Sequence, residues 1–331
     1  MDAIADASVH LVVTSPPYPM IEMWDGCFSA MDPTVDGHLA RGNGAAAFGR
    51  MHDQLDAVWR ECARVLVAGG FLCINIGDAT RSLAGEFALH PNHARVITAA
   101  LALGLTPLPD ILWRKPTNAP NKFMGSGMLP AGAYVTYEHE YILIFRKGGK
   151  RVFSSTDEKD RRAISAYFWE ERNLWFSDLW AGVVGAGQVI DVATRKRSAA
   201  FPVEIPYRLI NMYSLQGDVV LDPFSGTGTT RIAAMASARN SIGFELDASV
   251  DVGAPMPRDY SSARLVAHAA FVVGRETKHH NIPHDIAVVT GQEARLALPT
   301  LLRVHPTATN RWEATHGVTQ YLPPVSLFPL R

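Results

Sequence analysis

Two short stretches hold the residues whose types and spacing could do chemistry. The first is Asp222-Pro-Phe-Ser-Gly-Thr-Gly-Thr-Thr230, which follows three apolar residues, Val219 to Leu221. Gly226 and Gly228 permit a tight turn and a close approach of backbone to ligand, because no Cβ intrudes. Pro223, Phe224 and Thr229 complete the turn, and Glu245 stands where a following strand, Ser241 to Asp247, ends in acid. A strand, a glycine turn and a carboxylate at the next strand's end suit a nucleoside: the turn takes its polar part and the acid its ribose hydroxyls. The same stretch alone also fits an ordinary strand-to-helix turn. A phosphate loop needs Gly-Lys-Ser/Thr, but Thr229 follows Gly228; a dinucleotide fingerprint needs a third glycine, but Arg231 stands there. Asp222 would repel a pyrophosphate and suits a ligand carrying an ammonium and a sulfonium. These features point to S-adenosylmethionine.

The second stretch is Val12-Val-Thr-Ser-Pro-Pro-Tyr18, an apolar strand from His10 to Thr14 running into Ser15, Pro16, Pro17 and Tyr18. Two prolines fix φ and remove two backbone donors, leaving the carbonyls near Ser15 and Pro16 as acceptors beside the flat ring of Tyr18. Acceptors next to an aromatic plate suit an exocyclic amino group on a planar base. A strand-ending turn with a packed tyrosine is the plainer reading of this stretch alone.

Together the stretches resemble the motifs of amino-directed DNA methyltransferases, those acting on cytosine N4 or adenine N6 in restriction–modification systems. Thr-Ser-Pro-Pro-Tyr resembles their catalytic motif and Asp-Pro-Phe-Ser-Gly-Thr-Gly-Thr-Thr their cofactor motif. The catalytic motif comes first, as in the permuted β group. The resemblance implies a doubly wound, mostly parallel α/β sheet of seven strands in the order 3-2-1-4-5-7-6, with one strand reversed. It implies S-adenosylmethionine as cofactor, double-stranded DNA as substrate and a base flipped from the helix onto Tyr18. Ser15 at the first motif position resembles the cytosine-N4 subgroup; adenine N6, an RNA or protein amide, and a non-catalytic DNA-binding module stay as alternatives. Carbon-5 chemistry is disfavoured, since none of Cys27, Cys62 and Cys73 follows a proline.

The elements that must position these groups read as follows. The catalytic half spans 1–147, a target-recognition region 148–200, and the cofactor half 201–331. Residues 19–50, rich in glycine, read as a long irregular loop or lid in which Met20, Met23 and Trp24 either wall a pocket or simply pack. Leu55, Val58, Trp59, Cys62, Val65 and Leu66 fall on one face of a helix over 51–66. Ala68-Gly-Gly70 ends that helix, and Phe71 to Ile76 is a buried strand. Asp78, just beyond it, is a candidate cofactor contact or a turn aspartate. A helix near 92–103 precedes strands at 111–115 and 138–147, which suggest an antiparallel pair at a sheet edge. Phe201 and Pro202 precede a helix reaching Tyr213 and match the family's element that encloses the methionine part of the cofactor. Asp285 to Thr290 is a further strand.

Charge is uneven. The whole chain carries −1, yet residues 114–197 hold fourteen Lys/Arg against nine Asp/Glu. Lys150, Arg151, Arg161, Arg162, Arg195, Lys196 and Arg197, interleaved with aromatics, are candidates for contacting DNA phosphates; for the tryptophans a small core of their own is the alternative. Hydrophobic residues make up 47% of the chain, but no run reaches a membrane span. The opening residues carry no basic-then-apolar signal, and three cysteines make no disulfide framework. The expectation is a cytoplasmic protein of a prokaryote, a cognate endonuclease or a homodimer being compatible with it. His279, His280 and His284 lack a second ligand cluster, so no metal is expected.

Overall fold

Leu11, Val12 and Val13 are buried on both sides of their strand, which is the sequence signature of a parallel strand covered by helices on each face. In the computed structural model, which describes residues 1, 3–115, 124–125, 129–167, 169–183 and 201–246, this strand is β1 (Val9–Thr14). Three helices follow, α1 (Asp25–Met31), α2 (Thr34–Ala40) and α3 (Gly44–Val65), then β2 (Leu66–Ile76). The hairpin β3 (Ala79–Leu83) and β4 (Glu86–His90) leads to α4 (Asn92–Ala102), β5 (Leu105–Pro107) and β6 (Ile111–Arg114). The short pair β7 (Met124–Gly125) and β8 (Ala133–Tyr134) precedes β9 (His139–Lys147). Then come α5 (Thr156–Ile164), α6 (Trp169–Trp175), β10 (Leu179–Trp180), α7 (Glu204–Tyr213), β11 (Val219–Asp222), α8 (Thr229–Ala236) and β12 (Asn240–Gly243).

Among the described residues the main sheet runs β10-β6-β9-β2-β1-β11-β12, with β5 also paired to β9. β1 lies parallel to both β2 and β11, while β9 runs antiparallel to β2 and β6. Catalytic and cofactor strands are therefore neighbours, as expected. Six strands follow the expected order; the seventh, Asp285–Thr290, lies outside the described residues. One core cluster gathers Val12, Leu72, Ile74 and Leu143 under α1–α4; the other gathers Leu11, Cys73, Ile142 and Val220 under α7 and α8.

Two expectations are corrected. Residues 19–50 are largely helical: Phe28 of α1 and Val35 of α2 are buried in the first cluster. The Ala run at 45–47 opens α3, capped by the Asn43 side chain, which accepts from Ala46 N at 3.1 Å. Met20 is fully buried while Met23 is half-exposed. Secondly, α3 ends at Val65 and Gly69-Gly70 lies inside β2, where the pairing to β1 shifts register. The described part of the region from 148 to 183 contributes a strand to the main sheet. β10 pairs parallel with β6, and Trp175 and Trp180 are core residues, 5% and 2% exposed. The hairpin β3–β4 had no sequence signal beyond its two-residue turn, Ala84-Gly85, both at positive φ. Among the described residues no helix is long and apolar enough to cross a membrane.

Candidate active site

The carboxyl ends of β1 and β11 are stitched together by Asp222. This residue is 4% exposed. Its Oδ1 accepts from Thr14 Oγ1 at 2.6 Å and from Phe224 N at 3.0 Å, and its Oδ2 from Thr230 Oγ1 at 2.6 Å. Burial pushes its carboxyl pKa up, against the pull of these hydrogen bonds. Asp222 thus spends both oxygens inside the protein. In this arrangement Asp222 braces the turn by joining Thr14, Phe224 and Thr230.

Beyond the brace, Gly228 adopts φ +81° as the residue before α8, a conformation that side chains resist. Gly226 N donates to Glu245 Oε2 at 2.7 Å, so the carboxylate is held at the mouth of the turn. Pro223 is half-buried, Thr229 is buried, and half-buried Phe224 meets Trp59 edge-on with ring centres 6.1 Å apart. Phe201, 6% exposed, joins the second core cluster, and Pro202 is buried beside it.

Ser15, Pro16, Pro17 and Tyr18 follow β1 at the same rim. Pro16 is buried; the other three are partly exposed. The Tyr18 ring lies against Gly77, where a Cβ would come within 3.1 Å of Cε2, so a larger residue there would press on the ring. Its hydroxyl donates to Glu140 Oε2 at 2.9 Å, accepts from Asn75 Nδ2 at 2.8 Å and lies 3.2 Å from Ser15 Oγ. Burial and the Glu140 carboxylate push the Tyr18 pKa well up, keeping it neutral. Lys115 Nζ donates to Glu140 Oε1 at 2.6 Å. Asn75, Glu140 and Lys115 were missed in sequence; the signal available was a polar residue, Asn75, within the apolar run Leu72–Ile76.

Asp78 lies just past β2, 8% exposed. It accepts from His93 N at 3.0 Å and Tyr137 Oη at 3.1 Å, and sits 2.7 Å from His93 Nδ1. It anchors the start of α4 through His93. Nearby, His52 and Asn92 form a second buried pair 2.9 Å apart, and Asn92 Nδ2 also donates to Pro19 O and Gly77 O. That pair holds the chain on both sides of Tyr18.

The basic candidates sit elsewhere. Because β9 is antiparallel, the chain leaves it at the sheet end opposite Ser15. Arg151 and Arg161 bind Asp218, which precedes β11 and is fully buried, at 2.6 and 3.1 Å. Arg162 lies over the Phe153 ring at 4.9 Å, and Lys150 is exposed in the same connection. These four lie at the sheet end opposite Ser15, two of them paired with Asp218. Arg195, Lys196 and Arg197 lie outside the described residues, as do His279, His280 and His284. Among the described residues no group of acids, histidines and cysteines could hold a metal ion.

A family model described as DNA methylase, covering N6 and N4 enzymes, matches residues 9–250, from β1 through the whole site. The chain belongs to the N6/N4 DNA methylase family. The type II methyltransferase M.MthZI of Methanothermobacter thermautotrophicus is 47% identical to this methylase, over 90% of this chain and 87% of its own. M.MjaI of Methanocaldococcus jannaschii is 51% identical over 76% of this chain and 85% of its own. A DNA modification methylase of Thermus thermophilus, solved in complex with S-adenosyl-L-methionine, superposes with a TM-score of 0.55 at 33% identity, covering 81% of this chain and 90% of that one.

Proposed function

We propose that this methylase transfers a methyl group from S-adenosylmethionine to the N4 amino group of a cytosine flipped out of duplex DNA. The observation that carries the reading is the adjacency of Ser15 to the glycine turn, through the Thr14–Asp222 hydrogen bond of 2.6 Å. The turn fits the cofactor: a Cβ on Gly226 would meet nothing within 4 Å, and the Glu245 carboxylate stands ready at its mouth for hydroxyls. S-adenosylmethionine supplies a methyl group on a sulfonium, electrophilic enough to need no metal or covalent intermediate.

The work left to the protein is positioning and electrostatics. An exocyclic amino nitrogen is a weak nucleophile because its lone pair is delocalised into the ring. Ser15 Oγ and the Pro16 carbonyl take its two hydrogens and favour a pyramidal nitrogen whose lone pair faces the methyl. Tyr18 stacks on the extruded base. Ser15 accepts a hydrogen bond without adding charge to the pocket, which favours cytosine N4 over adenine N6. Phosphate contacts fall to Arg195, Lys196 and Arg197, before α7.

The test is to methylate DNA with the pure protein, digest it and identify the modified nucleoside by mass spectrometry. N4-methylcytosine is expected. N6-methyladenine alone would overturn the base assignment and leave amino transfer standing; 5-methylcytosine would overturn both. Ser15→Ala should lower kcat far more than it alters S-adenosylmethionine affinity.

A further inference from the structure

We infer that Glu140, on β9, is a positioning residue that makes Ser15 a hydrogen-bond acceptor. The inference rests on the proposed role of Ser15 and goes beyond it, to the group that sets the direction of its hydrogen.

Glu140 is 8% exposed and Asn75 2%. Glu140 receives three hydrogen bonds: from Tyr18 Oη at 2.9 Å, from Asn75 Nδ2 at 2.7 Å and from Lys115 Nζ at 2.6 Å. An ionised carboxylate has no hydrogen to give, and an ammonium has nothing else. Lys115 therefore fixes Glu140 as an acceptor, and Glu140 in turn claims the single hydrogen of Tyr18. The Tyr18 oxygen already accepts from Asn75 Nδ2 at 2.8 Å. Its 3.2 Å contact with Ser15 Oγ then has one polarity: Ser15 donates. The serine hydrogen is spent inward, and both lone pairs of Oγ turn toward the pocket. A serine hydroxyl free to rotate could instead donate toward the base and repel the amino hydrogens it must hold. The chain Ser15 to Tyr18 to Glu140 removes that state.

Geometry supports a built arrangement. Glu140 pairs in register with Trp113 of β6, and Asn75 with Ile142 of β9, so both polar groups come from rigid neighbouring strands. Gly77 lets them meet Tyr18, since a Cβ there would lie 3.2 Å from Glu140 Cγ.

Glu140→Gln reverses the chain. Lys115 captures the amide oxygen, the amide NH2 faces Tyr18, and the Tyr18 hydrogen turns onto Ser15 Oγ. Lys115→Met in the same protein frees the amide to rotate and present its oxygen to Tyr18 and Asn75, restoring the original direction. The experiment measures kcat, KM and melting temperature of the full chain on unmethylated bacterial genomic DNA, with nucleoside mass spectrometry of the product. Glu140→Gln is expected to lower kcat by about 30-fold or more, with KM for S-adenosylmethionine and melting temperature little changed. The Lys115→Met/Glu140→Gln protein is expected to regain about tenfold in kcat over Glu140→Gln alone. The inference is overturned if Glu140→Gln stays within about threefold of wild type in kcat. It is overturned equally if the double variant, folded, shows no gain, or if Glu140→Gln acts by lost stability and cofactor affinity. A wild-type product without amino methylation would instead remove the role of Ser15, and this inference with it.

Discussion

Arg151 and Arg161 give the sharpest distinction between a DNA-facing and a structural role. Asp218 is fully buried. Its Oδ2 accepts from Arg151 Nη1 at 2.6 Å and Leu215 N at 2.8 Å; its Oδ1 accepts from Arg151 Nη2 at 3.2 Å and Arg161 Nη2 at 3.1 Å. His10 Nε2 lies 3.6 Å from the same oxygen. Arg151→Ala removes two of these contacts and leaves a desolvated carboxylate held by Arg161 and one backbone N–H. Breaking a buried pair costs about 3–5 kcal/mol, and the surviving partners reduce that to about 3 kcal/mol. For a chain of 331 residues the melting temperature should fall by roughly 4 °C. Arg161→Ala, which removes one side-chain bond to Asp218 and those to Gln216 O, should cost less. Arg162→Ala, an exposed cation over Phe153, should cost under about 0.5 kcal/mol. Urea denaturation of the three variants gives the order. In parallel, DNA affinity measured against salt should keep its slope in all three. A variant of Arg151 with unchanged denaturation midpoint but a shallower salt slope would refute the structural reading.

Three further outcomes are expected. His52 is fully buried, and burial chiefly pushes its pKa from 6.5 down to about 4. Between those values the unfolded chain binds a proton that the folded chain refuses, so stability should fall by about 3 kcal/mol as pH drops through that window; His52→Gln should flatten the loss in urea melts at pH 4.5 and 7. Glu245→Ala should weaken S-adenosylmethionine binding by about 1.5–3 kcal/mol in calorimetry, because a charge-assisted acceptor is lost at the glycine turn. Thr14→Val, which takes one hydroxyl from buried Asp222, should destabilise by about 1–3 kcal/mol in the same melts.

The fold was readable where the pattern was backbone-driven. Apolar runs at β1, β9 and β11, two glycines at a turn and a proline pair after a strand each constrain the chain locally, and their boundaries came within a few residues. What failed was tertiary. Glycines spread over 26–49 suggested a loop, yet Phe28 and Val35 bury against the first core cluster and Asn43 caps α3. Gly69-Gly70 looked like a helix stop, but packing of β2 against β1 extended the strand through them. Nor does charge along the chain show partners: of the basic residues after β9, Arg151 and Arg161 pair with one buried aspartate, Asp218. Glu140 and Asn75 lie 65 residues apart; a polar residue in an apolar run marks Asn75, but nothing local names its partner.

The seam between β1 and β11 has a consequence for how this enzyme is made. Thr14 and Asp222 are 208 residues apart, yet their strands are adjacent at the centre of the sheet. On the ribosome β1 must wait, with one hydrogen-bonding edge open, until β11, 208 residues further on, has been synthesised. The β1–β2 and β2–β9 pairings can form early and give that strand a partner on its other side. Closure of the long loop comes last, and long-range pairings of this kind are the slow ones. A nascent chain that ends before residue 222 therefore carries Ser15–Tyr18 without the glycine turn that the Thr14–Asp222 bond sets beside it.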